Sequence, residues 1–185
     1  MNLLDFVKVK NIFTEEVCSH AIEDHLAQDW MPHEWYDPVT QKRFTKDFDP
    51  YNNIFDDGFT NYLCNTIMDA TQEYFNDLNQ ERSVNFLSRP RLNRYQQGQE
   101  MKLHPDHIQS LFDGQQKGIP IMSYILLLNN DFEGGDFEYQ FSDGTTHTVD
   151  LKAGDLIMWP SLFLYPHRIT PVTKGERISV VVWGW

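Results

Sequence analysis

Two stretches near the start of the chain place apolar residues at helical spacing. From Thr14, which suits an N-cap and is followed by Glu15 and Glu16 in the first turn, Val17, Ala21, Ile22 and Leu26 recur on one face. A second pattern runs from about Phe59 to Leu78, with Leu63, Ile67, Ala70 and Tyr74 in one stripe. Between them the aromatic, Pro- and Asp-containing stretch from Trp30 to Gly58 reads mostly as loop. After residue 82 the period shortens. β-rich runs at about 83–87, 90–96, 119–129, 136–141, 146–151, 155–159, 165–170 and 176–185 alternate with turn signals.

Eight or so short strands with no long helix among them predict a β-sandwich or jelly roll. The last run sharpens this. Arg177, Ser179, Val181, Trp183 and Trp185 point one way and Ile178, Val180 and Val182 the other, so both faces read as covered. One face is expected to look into a barrel and the other to meet the helices. The expected fold is therefore mainly β with N-terminal helices, a double-stranded β-helix (jelly roll, cupin-like) with helices packed on one sheet. A single domain is expected over 1–185, with a helical support region at 1–82 and a jelly-roll core at 83–185.

Composition changes this picture little. At 185 residues with 41% hydrophobic and 14% aromatic side chains, the chain is large enough to fold around its own core. Cys18 and Cys64 lie in helical stretches with no CxxC spacing, which points to reduced thiols without a catalytic part. The start of the chain has no basic segment leading a long apolar run, and no membrane-spanning stretch occurs, so a cytoplasmic location is expected. A net charge of −12 repels a phosphate backbone and makes nucleic acid an unlikely partner. Nothing in the sequence sets an oligomeric state.

Candidate chemistry begins at His104-Pro105-Asp106, where residues i and i+2 of an extended segment face the same side and bring an imidazole and a carboxylate to one ion. Alone the pair is weak. His167 follows the strand-like run Asp155–Trp159, and Arg177 lies ten residues beyond it. Two histidines and one carboxylate make a facial triad that leaves three iron positions open, whereas zinc favours a closed tetrahedral site or one open position. The other histidines, His20, His25, His33, His107 and His147, lack partner spacing and read as surface or satisfied core residues, with His107 set apart because it adjoins the triad.

From about residue 90 to 185 the sequence resembles the 2-oxoglutarate/Fe(II) oxygenases of the prolyl 4-hydroxylase type. The resemblance runs through Tyr95-Gln96-Gln97-Gly98, His104-Pro105-Asp106, Leu128-Asn129, Gly134-Gly135-Asp136, Ala153-Gly154-Asp155-Leu156-Ile157-Met158-Trp159 and the segment from His167 to Arg177. It implies Fe(II) held by His104, Asp106 and His167, and 2-oxoglutarate whose distal carboxylate is bound by Arg177, with Tyr95 framing the pocket and Ser179 adding a hydrogen bond. It also implies O2 as co-substrate, ascorbate as an optional reductant, and release of succinate and carbon dioxide as an unactivated C–H bond is hydroxylated. A peptide or protein side chain, prolyl above all, is the implied substrate.

Some roles stay open at this level. Trp183 either stands beside a peptide substrate or packs the barrel, and Tyr95 has the same two readings. The segment from His107 to Gly118 reads as a loop over the site mouth or as a plain surface loop. The chain departs from the family pattern at Met101, Leu127 and Pro120, which stand where an aromatic, a tyrosine and a basic residue are common. Two alternatives remain: a non-enzymatic jelly-roll binding or structural module, and a nucleic-acid demethylase of the same fold.

Overall fold

A computed structural model describes residues 2–37, 39–54, 58–106, 112–113 and 117–185. The expected 107–118 loop lies largely outside the described residues; within it Phe112–Asp113 and Lys117–Gly118 pair as two short antiparallel strands.

A seven-stranded antiparallel sheet organises the molecule. Its spatial order is Lys8–Asn11, Asp155–Pro160, Met122–Leu127, Arg177–Gly184, Arg91–Tyr95, Tyr51–Ile54 and Met31–Pro32. Facing it is a four-stranded antiparallel sheet of Thr146–Val149, Phe137–Gln140, His167–Ile169 and Met101–His104. The two sheets enclose one core, with Phe137, Tyr139, Ile157, Trp159, Ile169 and Val181 at its centre. A second core forms where the outer face of the large sheet meets the helices Glu15–Leu26 and Gly58–Asp77. This is the jelly roll with helices on one sheet.

The last strand divides as its alternation dictates. Ile178, Val180 and Val182 join the helix-side core, and Val181 and Trp183 join the core between the sheets. Trp185 lies past the strand and stacks on Phe86. The second helix buries Leu63, Ile67, Ala70 and Tyr74 as a stripe, as expected. In the first helix the buried set is Cys18, Ala21 and His25, while Leu26 is exposed. Val17 and Ile22 pack half-buried against the same core, so the expected face holds except at Leu26, and His25 tolerates burial because its Nδ1 donates to the carbonyl of Ala21 at 2.9 Å.

Several strands escaped the sequence reading. The stretch from Trp30 to Gly58 contains the strands Met31–Pro32, Trp35–Asp37, Lys42–Phe44 and Tyr51–Ile54. Pro32 is compatible with a strand because it sits at the sheet edge. Phe132–Gly134 pairs with Val172–Gly175, and Met101–His104 is a strand in its own right. Conversely, the run at 83–87 forms no strand of its own and lies against the end of the last strand through the bridge from Leu87 to Gly184 and the backbone bonds between Phe86 and Trp185. No helix among the described residues is long and apolar enough to cross a membrane.

Gly154 ties the N-terminal segment to the barrel. Its φ is +89°, and a Cβ there would stand 1.9 Å from the Phe13 carbonyl oxygen. Its own N–H donates to Leu127 O at 2.8 Å, and its carbonyl accepts from Ile12 N at 2.8 Å. Gly154→Ala combines a disfavoured backbone with a clash that main-chain atoms must absorb, at a cost of about 1–3 kcal/mol. The melting temperature is expected to fall by roughly 3–10 °C, measured by differential scanning calorimetry.

Candidate metal centre

His104 closes the strand Met101–His104, Asp106 follows in a bend, and His167 opens the strand His167–Ile169 that pairs with the first. His104 and His167 are direct register partners. The pairing brings Asp106 Oδ1 within 3.8 Å of His104 Nε2 and Asp106 Oδ2 within 3.9 Å of His167 Nε2. The three ligand atoms lie within 4.8 Å of one another, a grouping that could hold a metal ion.

Both imidazoles are oriented by the same device. His104 Nδ1 bonds the carbonyl of Lys102 at 2.6 Å, and His167 Nδ1 bonds the carbonyl of Tyr165 at 3.0 Å. A carbonyl can only accept, so each Nδ1 carries the proton and each Nε2 keeps its lone pair for a metal. Phe137 stacks on the His167 ring and Trp159 meets it edge-on, which locks its rotation. Burial and the neighbouring His167 push His104 down to about 4, which keeps it a neutral ligand. Burial alone would raise the Asp106 carboxyl, but the positive charge that His167 and His104 carry when protonated outweighs it and holds the carboxyl below the ordinary carboxylate range.

Arg177 is deeply buried at the start of the last strand, with 1% of its surface exposed. Its Nη1 donates to Ser179 Oγ at 2.8 Å, and its guanidinium lies 5.4 Å from the centre of the buried Tyr95 ring. Its Nε has no partner, and among the described residues no carboxylate pairs with it. Burial lowers its pKa from the ordinary arginine value. The adjacent Glu176 faces outward and is taken by Arg94, whose Nη2 and Nε donate at 2.8 and 3.1 Å. The more distant charge of Asp136 only partly offsets the burial of Arg177, and a buried guanidinium with no carboxylate in ion-pair contact is costly unless an anion completes it. An iron ion and a ligand carrying a carboxylate therefore fit the donors present.

Two positions that the sequence reading quoted without assigning a role hold Arg177 in place. Asn129 Nδ2 donates to the Glu176 carbonyl at 2.7 Å and its Oδ1 accepts from Ile178 N at 2.8 Å, bracketing Arg177 on both sides. Gly135, with φ +64°, leaves the space Arg177 fills, since a Cβ there would lie 3.0 Å from Arg177 Cδ.

The triad opens into a cavity of about 300 Å³ that Tyr95 and Trp183 also line. His33, Trp35, Arg91 and Asn93 also line it and were not expected there. His33 is a buried cavity residue, where the sequence suggested surface or ordinary core. Burial, Arg91 and His104 push it down to about 3, so it stays neutral. Trp35 stands edge-on between His33 and His104 and donates from Nε1 to Asp49 Oδ2 at 2.6 Å. A larger groove of about 740 Å³, bordered by Leu3, Phe141 and Phe163, shares no lining residue with this cavity. Burial raises the Cys18 thiol to about 11 and also raises Cys64, so neither supplies a thiolate at neutral pH.

Comparison with known proteins agrees with this geometry. The family model of the 2OG-Fe(II) oxygenase superfamily matches residues 90–185, just over half of the chain. A PKHD-type hydroxylase of Idiomarina loihiensis is 37% identical over 122 residues, covering 62% of this chain and 52% of the relative. One from Shewanella oneidensis is 38% identical over 95 residues, covering 51% of this chain and 41% of the relative. The chain thus spans about half or less of the length of these curated relatives. A Pseudomonas putida prolyl-4-hydroxylase superposes with a TM-score of 0.67 at 18% identity, over 98% of this chain and 96% of that one. A Trichoplax adhaerens prolyl hydroxylase, solved with a hypoxia inducible factor peptide fragment, gives 0.71 at 12% identity, over 100% and 86%. At such identities these structures establish the shared fold.

Proposed function

Because the chain belongs to the 2OG-Fe(II) oxygenase superfamily, we propose that His104, Asp106 and His167 hold Fe(II), that Arg177 binds the distal carboxylate of 2-oxoglutarate, and that the chain hydroxylates a prolyl-type peptide side chain. One observation carries the reading: a two-imidazole, one-carboxylate cluster shares its barrel with a buried arginine that has no ion-pair partner among the described residues. Together, Fe(II), 2-oxoglutarate and O2 supply the oxidising chemistry, in which one oxygen atom enters succinate as carbon dioxide leaves and the other enters the substrate C–H bond.

The protein's own residues bind and orient. The Lys102 and Tyr165 carbonyls fix the ligating face of each imidazole. Arg177 offers a planar fork to a carboxylate, with Ser179 and Tyr95 beside it setting its plane. Ile125, Ile169 and Val181 wall the cavity with apolar surface, which limits the water reaching the metal. On this reading the peptide packs against Trp35 and Trp183, the half-buried aromatic rings of the cavity wall. The relatives carry hydroxylase names, and one structural neighbour is solved with a peptide fragment. The reading is tested by incubating the chain with Fe(II), 2-oxoglutarate and a panel of capped proline peptides in air. The expected result is succinate release matched by gain of one oxygen atom on proline, and absence of both would overturn it.

Trp183 belongs to the substrate side of this site. It lies six residues past Arg177 on the same strand and lines the cavity beside the triad. Trp183→Ala is expected to cost about 1–3 kcal/mol of substrate binding. The KM for the peptide should rise more than that for 2-oxoglutarate; the opposite order in a folded variant would reject the placement.

A further inference from the structure

The cavity contains a second guanidinium that neither the metal nor 2-oxoglutarate requires. Arg91 opens the strand Arg91–Tyr95 and shares its barrel-facing row with Asn93 and Tyr95. Its guanidinium lies over the Trp183 ring, 5.0 Å from the centre, so the aromatic face attracts and helps to place it. Its Nε is shielded from solvent and has no partner. Among the described residues lining the cavity the acids are Asp106 and Glu34. Asp106 is committed to the triad, and Glu34 pairs with Arg43 at 3.3 Å.

Position separates Arg91 from the co-substrate. Across the sheet Tyr95 is the register partner of Arg177, while Arg91 is the partner of Val181, so the two arginines stand four residues apart along the strands, roughly 13 Å. A five-carbon diacid anchored on Arg177 and chelating the metal does not extend to Arg91. Charge leads to the same place. On the function proposed above, the two positive charges of Fe(II) and the one of Arg177 are matched by Asp106 and by the two carboxylates of 2-oxoglutarate. Arg91 feels the charge of Asp106, but that carboxylate is already matched to the metal in this count, so the charge of Arg91 is left over in a cavity where an uncompensated cation is unfavourable.

We infer that Arg91, held on Trp183, receives one carboxylate of the primary substrate and so selects a proline ring that carries a carboxylate beside it. This rests on the proposed function and names its substrate class. Two sources supply that chemistry: the α-carboxylate of free proline, and an Asp or Glu side chain next to proline in a peptide. The carboxylate is single and local, because a net charge of −12 repels a polyacidic partner.

The test uses the 185-residue chain loaded anaerobically with Fe(II) and 2-oxoglutarate, with probe binding followed by calorimetry. The probes are capped Ala-Pro-Ala, capped Ala-Pro-Asp, capped Asp-Pro-Ala and free L-proline. At least one carboxylate probe should bind about ten- to a hundred-fold more tightly than capped Ala-Pro-Ala, and which one does identifies the source. Arg91→Gln should abolish the preference and Arg91→Lys should keep part of it. Arg91→Glu should transfer the preference to capped Ala-Pro-Lys or Lys-Pro-Ala, a gain that a misfolded variant does not give. Equal binding of neutral and carboxylate probes by the parent, or a preference that survives Arg91→Gln, overturns the inference. Loss of 2-oxoglutarate affinity in Arg91→Gln would assign Arg91 to the co-substrate, overturning the inference while the proposed function stands. A parent that binds no 2-oxoglutarate removes both.

Discussion

Arg177→Ala should weaken 2-oxoglutarate binding by roughly a hundred- to several-thousand-fold while leaving Fe(II) affinity nearly unchanged. The expectation follows from burial. Arg177 is sealed from water, its Nη1 is used by Ser179, and its Nε waits without a partner. Removing one member of a buried charged pair leaves the other desolvated and alone, at about 3–5 kcal/mol, which converts to the stated range. Fe(II) affinity is spared because the guanidinium is not a ligand. Arg177→Lys keeps the charge and loses the fork, so it should fall between parent and alanine variant. Anaerobic calorimetric titration of 2-oxoglutarate into the Fe(II)-loaded proteins measures all three. Parent-like affinity in Arg177→Ala would mean that another residue holds the carboxylate.

His167→Ala should abolish succinate formation and lower Fe(II) affinity by on the order of a hundredfold or more. His167 is the most enclosed ligand, 3% exposed and gripped by Phe137 and Trp159. Its removal opens a hole in a packed aromatic cluster, so stability should fall as well, and the melting curve has to be recorded beside the iron titration. His104→Ala meets fewer such contacts and should separate iron loss from unfolding. Unchanged turnover in either variant would remove that residue from the metal site.

The parts of the site that a local rule governs could be read from the chain. His104 and Asp106 are two residues apart in extended backbone, and Arg177, Ser179, Val181 and Trp183 share one face of a period-two strand; both follow from strand geometry alone. The second helix was equally open to reading, since Leu63, Ile67, Ala70 and Tyr74 keep their spacing over the whole element.

What escaped depends on pairing across the fold. The stretch from Trp30 to Gly58 forms strands of two to four residues, too short to establish a period, and its Pro and Asp content imitates a loop. His33 and Trp35 therefore gave no sign that they wall the cavity. Arg91 acquires its character from Trp183 on the last strand, and Asn129 from Glu176 and Ile178 nearly fifty residues away. Arg177 stood out by its place ten residues after His167, but its burial and the fate of its glutamate neighbour did not. That Glu176 is drawn off by Arg94, and so does not pair with Arg177, becomes visible only when Arg91–Tyr95 lies against the last strand.

The central claim, that this barrel is built for iron and 2-oxoglutarate together, is tested most directly by absorbance. Under anaerobic conditions 2-oxoglutarate is titrated into the Fe(II)-loaded chain, and the visible metal-to-ligand charge-transfer band is followed in the parent, His104→Ala and Arg177→Ala. The account predicts a saturable band in the parent, none in His104→Ala, and one in Arg177→Ala that emerges only at far higher 2-oxoglutarate. A parent that develops no band, or a band that saturates at the same concentration without Arg177, would contradict it.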